Sequence, residues 1–124
     1  MILVLKTADH TTQAWLYDGG KVARFVDWES GRNLSDDLLG HLKTLTGFKH
    51  LSGIVVFSGP GSFTSLRIGH TVANALADSL NIPVVGTRGE GWIEQGLKLV
   101  QTAKPGLPAL PHYGAEANIT KPKS

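Results

Sequence analysis

The stretch GIVVFS, residues 53–58, constrains the fold of this 124-residue chain more than any other. It is a continuous, β-branched run without polar alternation, the pattern of a strand buried on both faces. Gly59, Pro60 and Gly61 end it, Phe63 to Leu80 carries the longest helical pattern, and Asn81 closes that helix. IPVVG at 82–86 then supplies a second short buried strand. Strand, helix and strand joined by short connections imply a parallel pair with a right-handed crossover.

The N-terminal part reads differently. ILVLK at 2–6 is an apolar run of strand length, and TQAWLYD at 12–18 and KVARFVDW at 21–28 alternate on either side of Asp18-Gly19-Gly20. Two alternating runs joined in this way predict a hairpin, so three antiparallel strands open the chain. A helix follows over 33–47, with Asn33 or Ser35 as cap, Asp36 and Asp37 in its first turn and Gly47 at its end. Leu34, Leu38, Leu42 and Leu45 share one face of it, with Leu39 at the margin. A further helix is expected within 88–100. The reading is one α/β domain over 1–100: a mixed sheet with three antiparallel N-terminal strands, then strand–helix–strand, with helices packed on it. Residues 101–124, with prolines at 105, 108, 111 and 122, are expected to form an extended or poorly ordered tail.

Composition narrows the function classes. The formal net charge is +2, but residues 1–100 hold nine Lys/Arg against nine Asp/Glu, so the excess lies in the tail at Lys104, Lys121 and Lys123. A neutral body argues against autonomous nucleic-acid binding. There is no cysteine, hence no disulfide framework or thiolate metal site. Only four apolar residues separate Met1 from Lys6, too few for a signal-peptide core or membrane span, so a cytoplasmic protein without membrane contact is expected.

Gly59-Pro60-Gly61-Ser62 admits two readings. As an anion cradle, its glycines would bring backbone N–H groups and a helix N-terminus to a ligand, with Ser62 and Thr64 adding hydroxyls. The spacing matches neither dinucleotide nor P-loop patterns, and proline removes one N–H. As a tight strand-to-helix turn, Pro60 fixes φ, Gly61 takes positive φ, Ser62 or Thr64 caps the helix, and Phe63 anchors the turn in the core. The helix behind it carries an apolar arc of roughly 200°, wider than one core-facing stripe needs. Arg67, His70, Thr71, Asn74 and Asp78 fill the remaining polar stripe. The surplus arc, running through Ile68, Val72 and Ala75, meets either the neighbouring helix with Leu38, Leu39 and Leu42 or a second protein. His10, His41, His50, His70 and His112 lack metal-ligand spacing and read as surface or capping residues, and Asp9-His10 has no nucleophile partner. Trp15, Trp28 and Trp92 read as core or edge aromatics.

Gly59 to Gly69, GPGSFTSLRIG, closely resembles the signature of the TsaB (YeaZ) family, whose usual form has Gly where this chain has Ser65. ILVLKTAD resembles that family's opening strand followed by Asp-Thr-Ser, NLSDDLLGHLKTL and NIPVVG fall where similar elements stand, and PHYGAEANIT is similar to its C-terminal proline–tyrosine segment. The resemblance implies a lobe of the actin-like, Hsp70-like ATPase fold group, which is ribonuclease H-like, in a shortened form that retains mainly the N-terminal lobe. It implies a motif loop of Gly59, Pro60, Gly61, Ser62, Phe63, Thr64 and Arg67, with no catalytic residue. It further implies a non-catalytic scaffold in the synthesis of threonylcarbamoyladenosine in tRNA. Such a scaffold pairs through its helices with a TsaD-like enzyme, which carries ATP and metal, and a TsaE-like protein joins them. A homodimer is the other use of the same face. Lys6 stands where the fold group generally places an Asp that helps with metal and phosphate, which argues against a metal-assisted ATPase site. The rival class is a small nucleotide- or anion-binding enzyme working through the 59–64 loop.

Overall fold

The apolar run at Ile2–Lys6 forms β1 and pairs antiparallel with β2 (Thr11–Asp18), Val4 lying opposite Trp15. Gly19 and Gly20 take φ of 61° and 84°, as a two-residue turn between twisted antiparallel strands requires. They lead into β3 (Lys21–Glu29), with Asp18 opposite Lys21. The computed structural model of the chain describes residues 1–7, 11–29, 34–46 and 50–110, leaving aside the side chains of 34–37, 39 and 46. Readings that rest on Asp9, His10, Asn33, Gly47, the side chains of Leu34, Ser35, Asp36, Asp37 and Leu39, or residues 111–124 lie outside this description.

Helix α1 (Leu34–Thr46) precedes β4 (Gly53–Phe57), α2 (Phe63–Leu80), β5 (Val84–Thr87) and α3 (Trp92–Thr102). β4 is buried along its whole length, as its unbroken apolar run demands. It pairs parallel with β1 on one side and β5 on the other, giving one five-stranded mixed sheet in the order β3-β2-β1-β4-β5. α2 ends as its sequence indicates: Asn81 sits at φ 54°, and the Ile82 amide donates to the Ala77 carbonyl at 3.0 Å. That is the left-handed cap of a Schellman motif.

Alternation along the strands separates two cores. Leu3, Leu5, Ile54 and Val56 face α1 and α2, where Leu42 and Leu76 meet them. Val4, Val55 and Phe57 face α3, under Trp92 and Val100. This arrangement corrects one expectation. Leu38 and Leu42 are fully buried in this chain's own core and cannot serve a second protein. α3 runs two residues past the expected boundary at Val100, and Ala109 further on is buried against the body. Leu42→Ala should therefore lower the unfolding free energy by about 2–5 kcal/mol, measured by urea denaturation of the isolated chain.

Candidate functional site

The 59–69 motif occupies the turn from β4 into α2, and each position can be asked what it does. Ser58 leaves β4 with its amide donated to the Thr87 carbonyl at 2.7 Å, which ties the end of β4 to β5. Gly59 follows at φ 129° with a cis bond to Pro60, and its carbonyl accepts from the Gly89 amide at 3.2 Å. Gly59, not Gly61, is thus the motif glycine in the region that L-residues avoid. The direction forced on the chain after Ser58 decides this. Ser62 caps α2, its hydroxyl accepting from the Ser65 amide at 3.4 Å and its carbonyl from Leu66 at 2.9 Å.

Two contacts then set the helix against the sheet. The Thr7 hydroxyl, just past β1, donates to the Ser65 carbonyl at 2.7 Å. Gly69, one turn on, passes so close that a β-carbon there would overlap the Thr7 side chain. The last glycine of the motif is therefore a packing requirement.

His70 departs from its expected surface or capping role. It is 3% exposed, its Nδ1–H donates to the Leu66 carbonyl at 2.8 Å, and its Nε2 accepts from the Ser58 hydroxyl at 3.0 Å. A carbonyl can only accept, so Nδ1 carries a proton, and in the neutral ring Nε2 is left as the acceptor. Burial pushes its pKa below the ordinary 6.5, opposed by the hydrogen bond to Leu66. With Ser58 4% exposed as well, the pair is a structural strut closed to substrate. Its sequence signal was a histidine on the helix twelve residues after a serine at a strand end, and Asn74 one turn further shares its flank.

Phe63 also departs from its expected place: it is 54% exposed rather than anchored in the core. It joins Thr64, Arg67, Ile68, Thr71 and Val72 around a groove of ≈ 400 Å³ along α2. Ile68 and Val72 are half-buried and Ala75 is exposed, so this flank keeps apolar surface in contact with water. On the sheet's other face the aromatics are structural: Trp92 meets Trp15 and Phe57 edge-on at 5.8 and 5.1 Å. Trp28 stacks on His41 at 4.1 Å. Lys6 Nζ lies 4.7 Å from the Phe57 ring centre, a cation–π contact that puts positive charge at the end of β1. Among the described residues no three of His, Asp and Glu gather as a metal site, and no helix is long and apolar enough to cross a membrane.

Comparison with known proteins adds the following. The family model "TsaD: tRNA N6-adenosine threonylcarbamoyltransferase" matches residues 38–108, more than half of the chain. The tRNA threonylcarbamoyladenosine biosynthesis protein TsaB of Buchnera aphidicola is 44% identical over 43 residues, 35% of this chain and 20% of that protein. TsaB of Bacillus subtilis is 62% identical over 34 residues, 27% of this chain and 15% of that protein. Among solved structures, YeaZ from Pseudomonas aeruginosa superposes with a TM-score of 0.65 at 24% identity, covering 77% of this chain and 49% of that one. A crystal structure titled as similar to peptidase YeaZ from the same organism gives 0.63 at 25%, again covering 49% of its length. The chain spans about half of these solved relatives.

Gly59→Val should cost about 1–3 kcal/mol and Gly61→Val less, read from paired urea midpoints. For His70, the unfolded state takes up a proton near pH 6.5 that the folded state resists. Its contribution is fully present above the unfolded value and is lost as pH falls through that value toward the lower folded one. Thermal midpoints between about pH 8 and pH 5 should fall with acidification, and less steeply in His70→Asn.

Proposed function

The chain belongs to the family of the TsaD model that matches residues 38–108 and is similar to TsaB (YeaZ) proteins, and from that premise we propose that it is a non-catalytic scaffold for a TsaD-like enzyme. The process is the biosynthesis of threonylcarbamoyladenosine in tRNA, which its curated relatives are named for. The observation that carries this reading is the apolar outer flank of α2, where Phe63, Ile68 and Val72 border the groove within and just beyond the family motif. The motif positions that the fold itself needs, Gly59, Ser62 and Gly69, lie behind this flank and set its position.

A TsaD-like partner would share this chain's fold, since the TsaD family model matches residues 38–108, and would bring a homologous helix to the α2 flank. A homodimer through the same flank is then the state in the partner's absence. A TsaE-like protein completes the assembly, and ATP and metal belong to the TsaD-like subunit. The Lys6 ammonium at the end of β1 favours this division, since a cation there repels a divalent ion and its phosphate-bridging chemistry.

Val72→Glu tests the docking face. Coexpressed with the TsaD-like protein of the same genome, the parent chain should co-elute with it. The variant should bind at least about 30-fold more weakly, the loss of one central interface residue. Because Val72 is only half-buried, circular dichroism of the variant alone should keep its helical signal. A variant that folds and still binds at parental affinity would place the partner elsewhere.

A further inference from the structure

We propose that Asn74 clamps residues 103–110 as a strap across the outer edge of β5, and that the strap keeps this edge from pairing with a second copy of the chain. Among the described residues the sheet ends in two edge strands, β3 and β5. β3 carries Lys21, Arg24, Asp27 and Glu29, the charges that discourage a strand from recruiting another. β5 is Val-Val-Gly-Thr, with no charge. An uncharged edge of this kind invites pairing unless something covers it.

The covering segment is held in a defined way. Asn74 Nδ2–H donates to the Ala109 carbonyl at 2.9 Å, and the Ala109 amide donates to Asn74 Oδ1 at 2.8 Å. One side-chain amide thus satisfies both backbone groups of one residue, as a neighbouring strand would. Ala109 is 6% exposed and packs over Gly86, where a β-carbon would meet its own at 3.5 Å. α3 lies on one face of the sheet and α2 on the other. The chain from Ala103 to Ala109 therefore passes round β5, lining grooves of ≈ 360 and ≈ 370 Å³ beside it.

The strap does not itself become a new edge. Pro105 and Pro108 have no N–H to offer, and Lys104 adds a charge. The same residues are the devices that natural sheets use against edge-to-edge association. A strap lost from Asn74 would uncover β5 for antiparallel pairing with β5 of a second copy, a contact that closes on itself as a two-fold dimer.

The test uses the full chain in a Val72→Glu background, so that association through α2 does not contribute. Asn74→Ala removes both clamp bonds without weakening the helix, since alanine is the better helix former. Ala109→Glu dislodges the strap without touching α2. Amide exchange by NMR should show Ala109 exchanging on the order of tenfold faster or more in Asn74→Ala. Sedimentation velocity should show a new concentration-dependent dimer in both variants, abolished by adding Val85→Lys. Unchanged exchange at Ala109 in Asn74→Ala would overturn the clamp. Monomers only in both variants, with exchange accelerated, would overturn the edge-guarding role, and neither result bears on docking through α2.

Discussion

The Thr7 hydroxyl bonded to the Ser65 carbonyl, with Gly69 seated against the same threonine, fixes how α2 is rotated on the sheet. At about 100° per residue, that rotation places His70 and Asn74 on the flank toward β5 and Ile68 and Val72 on the opposite one. His70 then reaches Ser58 and Asn74 reaches Ala109. Ile68 and Val72 are left with one side on the core and the other toward water. The Ser58–His70 strut, the Asn74–Ala109 bonds and the part-exposed apolar flank all follow from one close approach of α2 to Thr7 that only glycine permits.

This explains why the fold was legible in the chain and parts of the site were not. The Asp18-Gly19-Gly20 turn, the unbroken GIVVF strand and the span of α2 from Phe63 to Leu80 with its Asn81 cap are local patterns, and they hold in the structure. The helical wheel separated polar from apolar positions correctly, but it could not say what each side would meet. A polar stripe reads as solvent-facing, yet two of its members face a buried hydroxyl and a backbone segment 35 residues away. The leucines of α1 could equally have faced outward, until the sheet beneath them was known.

The choice between Gly59 and Gly61 failed for a related reason. Both flank the proline, and local chemistry does not distinguish them. Which one takes positive φ depends on where Ser58 and Gly59 are tied, to Thr87 at the end of β5 and to Gly89 just past it. Phe63 reads as a core anchor from its size alone, and only the rotation of α2 turns it outward to 54% exposure. The family resemblance lay in the motif throughout. The structure separates its positions into those that hold the turn and those that it presents.

Docking of a TsaD-like partner on the presented flank of α2, as proposed above, can be read directly from side-chain protection. The chain has no native cysteine, so a single introduced thiol reports one position without ambiguity. Thr71→Cys, on the groove, and Leu99→Cys, on α3 where Leu99 is 45% exposed, would each be alkylated with and without the TsaD-like protein. The partner should slow labelling at position 71 and leave position 99 unchanged. Protection at 99 with none at 71, in a complex shown to form, would contradict docking on this flank.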